Sequence, residues 1–135
     1  MRNYLKTAYD IYFSYFLAGD NKTKISKDTL FLETHRAIAS VLTSLNYSQK
    51  AIEHYEIISG EFDQKKIEDK DPLHELHSGL AVNYESQGLY EKAVAEFKKA
   101  IDLNPSNYIL YYNLGYCQYS AGMHDDAVKN YTKFL

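Results

Sequence analysis

Apolar residues recur along this chain at helical spacing rather than in the strict alternation of a strand. Tyr4, Ala8, Ile11, Tyr12 and Tyr15 form one stripe and predict a helix over about residues 3–18. A polar loop follows from Gly19 to Asp28. His35, Ile38, Ala39 and Leu42 share one side of a helix over Leu30 to Leu45, and Ala51, Ile52, Tyr55 and Ile58 mark its antiparallel partner. The same period predicts helices over about 73–87, 90–103, 107–121 and 124–135, which makes seven helices and no strand. Both prolines fall at helix boundaries. Asp71 offers a capping carboxylate ahead of Pro72, and Asn104-Pro105-Ser106 ends one helix while offering Ser106 to cap the next. Gly88 and Gly122 each fall in a short turn between two helical patterns.

The pattern also repeats. Leu80 and Leu114, Gly88 and Gly122, Ala93 and Ala127, and Phe97 and Tyr131 are all separated by one constant step of thirty-four positions. An earlier, degenerate copy reads His35-x-x-Ile38-Ala39-x-x-Leu42, then Ala51-x-x-x-Tyr55, in the same order. From Ala51 to Ala93 the step lengthens to forty-two positions, and the surplus falls around Gly60 to Lys70. Those residues are expected to lengthen the second helix by a turn or more and to form a charged loop. A fixed step with fixed residue types marks stacked supersecondary units rather than one globular core.

The residues Leu80-Ala81-x-x-Tyr84, Gly88-Leu89-Tyr90, Ala93-x-x-x-Phe97, Ala100 and Leu103-Asn104-Pro105 resemble the tetratricopeptide repeat family. The resemblance covers roughly residues 32–135 and is strongest over 77–135. It implies an all-α, right-handed superhelical solenoid of antiparallel helix pairs. About three units, near 32–66, 74–107 and 108–135, would follow an N-terminal helix and loop over 1–28 that serves as a half-repeat or cap. Ala81, Ala93 and Ala100 would supply the small residues at the helix crossings of one copy, Gly115 and Ala127 those of the next. There are departures. His35, His77 and Tyr111 head the first helices, Gln118 replaces a Tyr, and Phe134 stands where a small Ala is usual. The last unit stops short at Leu135, so the chain reads as an excised piece of a longer protein. The open face of its last helix (Ala127, Val128, Tyr131, Phe134) predicts self-association there.

Composition excludes more than it selects. The formal net charge of −3, with lysines scattered, provides no footprint for nucleic acid. No apolar run reaches the roughly 18 residues of a membrane span, and the start lacks a signal-peptide core. Cys117, the single cysteine, permits no internal disulfide and no cysteine metal cage, so the expected setting is cytoplasmic. It reads as a packing residue rather than a reactive one. The five histidines do not assemble a metal site. His74 and His77 have i, i+3 spacing but no third ligand, His35 and His77 share a repeat position, and His54 and His124 look isolated. No phosphate loop, dinucleotide fingerprint or nucleophile elbow is present. The chain is therefore read as non-catalytic, without cofactor or metal.

The family's carboxylate clamp for C-terminal peptides needs Lys, Arg and Asn on three successive inner faces. Here Arg36 matches one place, while Ser40, Gly79, Ile109 and Asn113 do not. The inner faces instead run from polar to aromatic: Glu33, Arg36, Ser40 and Thr43; then Glu75, Ser78, Val82 and Glu85; then Ile109, Tyr112, Tyr116 and Tyr119. The expected partner groove is Arg36, Glu75, Val82, Glu85, Ile109, Tyr112, Tyr116 and Tyr119. What the resemblance implies is a protein-interaction scaffold that presents a concave groove to a partner peptide or helix. The alternatives are a peptide-sensing or dimerising arm of a bacterial signalling regulator, favoured by the lengthened step, and a chaperone for type III secretion translocators.

Overall fold

A computed structural model describes residues 27–66 and 68–135. These form six α-helices: α1 Lys27–Ser44, α2 Ser48–Lys65, α3 Lys70–Ser86, α4 Tyr90–Leu103, α5 Ile109–Ser120 and α6 His124–Phe134. No strand occurs among the described residues, so the fold is all-α as the periodicity predicts. The helix expected over residues 3–18 lies outside the described residues. The chain divides into two compact units, residues 1–64 and 65–135, and each is taken by itself.

In the first unit, α1 and α2 are joined by a short turn, Leu45-Asn46-Tyr47. Asn46 adopts a left-handed conformation with φ 64°, and two backbone bonds close the helix end. Tyr47 N–H donates to Leu42 C=O at 2.9 Å and Asn46 N–H to Thr43 C=O at 3.0 Å, which is the Schellman arrangement. Ile38, Ala39 and Leu42 on α1 and Ala51, Ile52 and Tyr55 on α2 are buried. The surplus of the longer step does lengthen α2, which runs for 18 residues against 14 in α4 and 11 in α6.

His54, which looks isolated in the sequence, is not. Its Nδ1 lies 2.8 Å from Nδ1 of His35. The ring centres are 5.1 Å apart, which is the nitrogen separation plus the two centre-to-nitrogen radii. The nitrogens therefore face each other head to head, one donating its proton to the lone pair of the other. Phe31 packs edge-on against His35 with ring centres 4.4 Å apart.

In the second unit α3 pairs with α4, α5 pairs with α6, and α4 packs on α5. The core is Ala81, Ala93, Val94, Phe97, Ala100, Ile101, Leu110, Leu114 and Cys117. Phe97 is wholly buried, and a ring of that size contributes about 1.5–3 kcal/mol on leaving water. It fits because Ala81, Ala93 and Ala100, all fully buried, let the helix backbones approach. Both turns repeat the closure seen at Asn46, now with glycine. Gly88 (φ 74°) and Gly122 (φ 83°) are left-handed. Leu89 N–H reaches Tyr84 C=O at 2.9 Å, and Met123 N–H reaches Gln118 C=O at 2.8 Å.

Two cap assignments from the sequence need correcting. The carboxylate that caps α3 is Asp69, accepting from Asp71 N–H at 3.3 Å, so Pro72 lies inside the first turn, where its missing N–H costs nothing. Ser106 does not cap α5. Its hydroxyl donates to Asn104 Oδ1 at 3.1 Å, and α5 starts at Ile109, later than expected and without a side-chain cap. The histidines of α3 are structural. His74 Nδ1–H donates to Ala100 C=O at 2.8 Å, and its Nε2 accepts from Asn107 at 3.4 Å, tying α3 to the α4–α5 connection. His77 Nδ1 bonds Glu96 Oε2 at 2.5 Å, and Lys99 holds the other Glu96 oxygen at 3.1 Å. His35–His54 and His77–Glu96 are one cross-helix pair in successive copies, each 19 residues apart.

Three outcomes follow from this packing. Replacing fully buried Ala93 by Leu should overpack the α3–α4 crossing and cost about 1–3 kcal/mol, read as a lowered urea midpoint. Gly88→Ala should cost about 1–2 kcal/mol because its φ is left-handed. Gly60→Ala, in the interior of α2 with open space where a Cβ would go, should instead stabilise by about 0.5–1 kcal/mol. Equal midpoints for the two glycine variants would contradict the turn assignment.

The histidine pair sets a pH dependence. Burial pulls His35 below its ordinary value of 6.5. It pulls His54 down too, helped by His35 and opposed by Glu53. The folded hairpin thus binds fewer protons than the unfolded chain. This stability is fully present above the ordinary histidine pKa and is lost as pH falls from there through the lowered folded-state value. Amide exchange in α1 and α2 should quicken on going from about pH 7.5 to about pH 5.5 once corrected for intrinsic rates. Unchanged protection would refute the pairing.

Candidate partner-binding face

α5 carries no charged residue at all in its sequence ILYYNLGYCQYS. One side of it is core: Leu110, Leu114, Gly115, Cys117 and Gln118 are buried. The other side is aromatic and open, with Ile109 59% exposed, Tyr112 47%, Tyr116 40% and Tyr119 61%. A surface helix normally turns charge toward water, and α4 does so with Glu91, Lys92, Lys98, Lys99 and Asp102, all exposed. The open side of α5 therefore has the character of a contact surface.

The rings on this face are held, not loose, and they lean on different supports. Tyr116 meets Tyr90 of α4 edge-on at 6.2 Å between centres. Tyr112 lies 5.4 Å from Tyr131 and 5.2 Å from Phe134, both on α6. Tyr119 lies 5.3 Å from His124 across the second turn, so His124 is not isolated either. Gly115 makes this spread possible. A Cβ there would come within 3.1 Å of the Tyr131 ring, which lies flat against the α5 backbone instead.

Glu85 of α3 comes beside this face. It accepts from the Cys117 thiol at 3.7 Å. Burial raises the Glu85 carboxyl above its usual range, partly offset by that thiol. Burial, then the Glu85 charge, pushes the thiol up to about 12, so at neutral pH it stays protonated and is a poor nucleophile. Val82 is half-buried and packs on the α4–α5 core, while Glu75 is exposed near the start of α3. Arg36 belongs to the first unit, exposed on α1, where its guanidinium grips Glu33 of the same helix at 2.6 and 3.0 Å. The expected groove residues of the second unit thus lie on α3 and α5, and Arg36 is described with α1 alone.

The α6 surface differs from its counterpart. Val94 and Ile101 on α4 are 6% and 9% exposed beneath α5, whereas Val128 and Leu135, which stand at the same places one repeat on, are 64% and 100% exposed. Among the described residues no group of three His, Cys, Asp or Glu could hold a metal, and no helix is long and apolar enough to cross a membrane.

Comparison with known proteins follows the same lines. A family model described as TPR repeat matches residues 83–122, and a second, described as tetratricopeptide repeat, matches 110–135. The solved structure titled "MamA RS-1 ArsTM double mutant" aligns with a TM-score of 0.68 over 96% of this chain and 72% of that one, at 18% identity. At that identity the likeness speaks to the fold alone. A search of curated protein sequences finds no match. Helix pairs closed by the same left-handed turn, small residues at each crossing and two repeat models together identify residues 83–135 of this chain as tetratricopeptide repeats.

Proposed function

We propose that this protein is a non-catalytic binding module whose α3–α5 face holds a partner segment bearing an apolar anchor flanked by Lys or Arg. The observation that carries this is the uncharged α5 with four large apolar side chains open to solvent along one stripe. Tyrosines give wide, rigid contact area at little entropic cost and are enriched among binding hot spots. Contacts with Tyr90, Tyr131, Phe134 and His124 already restrain the rings, so a partner loses less in ordering them. Glu85 of α3 brings a carboxylate against α5 at Cys117, which favours a cationic flank. Repeats of this family serve protein–protein interaction, and the face described here is where that role is assigned.

The test is a fluorescence titration with a labelled peptide in which Leu and Phe are flanked by lysines. Tyr116→Ala and Tyr112→Ala should each weaken binding about thirtyfold, as loss of a hot-spot ring of about 2 kcal/mol does. Val128→Ala, which trims an exposed apolar side chain of α6 rather than of α5, should leave affinity within a factor of about two. Full affinity in folded Tyr116→Ala and Tyr112→Ala variants would reduce these tyrosines to packing residues.

A further inference from the structure

A second groove lies on the other side of α5, between α4 and α6, with a volume of about 550 Å³. Its floor is Leu114 and Gln118 of α5. Gln118 is only 1% exposed, and one repeat earlier the same position holds Tyr84, a ring packed against the core that fills its space. The shorter amide leaves room and a polar floor. Asn130 of α6 donates to Gln118 Oε1 at 2.6 Å and to Asp126 C=O at 3.1 Å, which uses both of its N–H groups. Among the described residues, the Gln118 NH2 and the Asn130 carbonyl oxygen then have no protein partner. One donor and one acceptor side by side match the C=O and N–H of a peptide group.

The rim adds charge. Lys98 stands on the α4 wall, with Lys129 and Lys133 on the α6 wall. Lys133 lies over the Tyr111 ring, 5.4 Å from its centre, and none of the three lysines is in an ion pair among the described residues. Asp102 and Asp126 also line the groove, leaving it net positive, whereas the acidic Glu85 stands against α5 at Cys117.

We propose that this groove is a second binding site, for an extended acidic peptide segment: the Gln118–Asn130 pair holds its backbone, and Lys98, Lys129 and Lys133 meet its carboxylates. The site is independent of the tyrosine face and selects the opposite charge. The probes are a fluorescein-labelled peptide of alternating Ala and Glu-Glu pairs and its Gln counterpart, titrated against the whole chain by anisotropy. The Glu peptide should bind saturably, the Gln peptide at least tenfold more weakly. Lys98→Glu with Lys129→Glu should cost tenfold or more, whereas Lys50→Glu with Lys66→Glu, the same charge change on α2 and just beyond it, should not. Tyr116→Ala should leave this binding unchanged, which separates it from the tyrosine-face reading. Gln118→Leu, with helicity checked by circular dichroism, should weaken both peptides; if it does not fold, the lysine variants still decide. Equal binding of the Glu and Gln peptides, no saturation at millimolar probe, or equal losses in the two lysine doubles would overturn the proposal.

Discussion

Close approach of paired helices is the constraint on which the remaining structure rests. Ala39 and Ala51, Ala81 and Ala93, and Gly115 and Ala127 stand at matching places in three helix pairs, and all are buried. A larger side chain at these places would push two backbones apart. The closure of each turn then fixes the direction of return. Asn46, Gly88 and Gly122 each take a left-handed φ, and the crossing alanine stands five positions after each of them. The amide of that alanine (Ala51, Ala93 or Ala127) bonds the carbonyl of Tyr47, Leu89 or Met123, the residue next to the turn, at 3.0 Å in every copy. Turn and crossing form one rigid device, kept intact whether the step between copies is the regular one or the longer one.

Much of this could be read in the sequence, because small residues and glycines at fixed spacing leave few alternatives. Helix existence, the lengthened α2 and the buried side of α5 all follow from periodicity. What could not be read has physical reasons. Asn46 hides its role because asparagine is tolerated in the left-handed region without being diagnostic of it. Asp69 and Asp71 both carry a capping carboxylate, and only the backbone decides between them. His54 looks like a surface residue since its partner is 19 positions away, and no local pattern announces a cross-helix hydrogen bond.

The tyrosine stripe shows how far local pattern reaches. Spacing places Tyr112, Tyr116 and Tyr119 on one side of α5, and their exposure agrees. Spacing says nothing of where each ring leans. Tyr116 turns to α4 while Tyr112 turns to α6, because Gly115 lets Tyr131 lie against the helix between them. That divergence matters for recognition. Rings braced on both neighbouring helices form a broad surface rather than a single ridge, and a ligand must contact both walls to cover it.

The exchange of Tyr84 for Gln118 at one repeat position links the two sides of α5. Keeping a tyrosine there would have filled the outer groove as the ring fills its place in the preceding copy. With glutamine, the helix keeps its apolar seam through Leu110, Leu114 and Cys117 and gains a nearly buried amide that must be satisfied. Asn130 satisfies half of it, at 2.6 Å. The remaining hydrogen-bonding capacity points outward, away from the aromatic face. α5 is thus flanked by surfaces of different chemistry, one aromatic and acidic, one amide-floored and lysine-rimmed. Both are held by the same helix, so the spacing between two ligands bound there would be set by one rigid element rather than by a flexible linker.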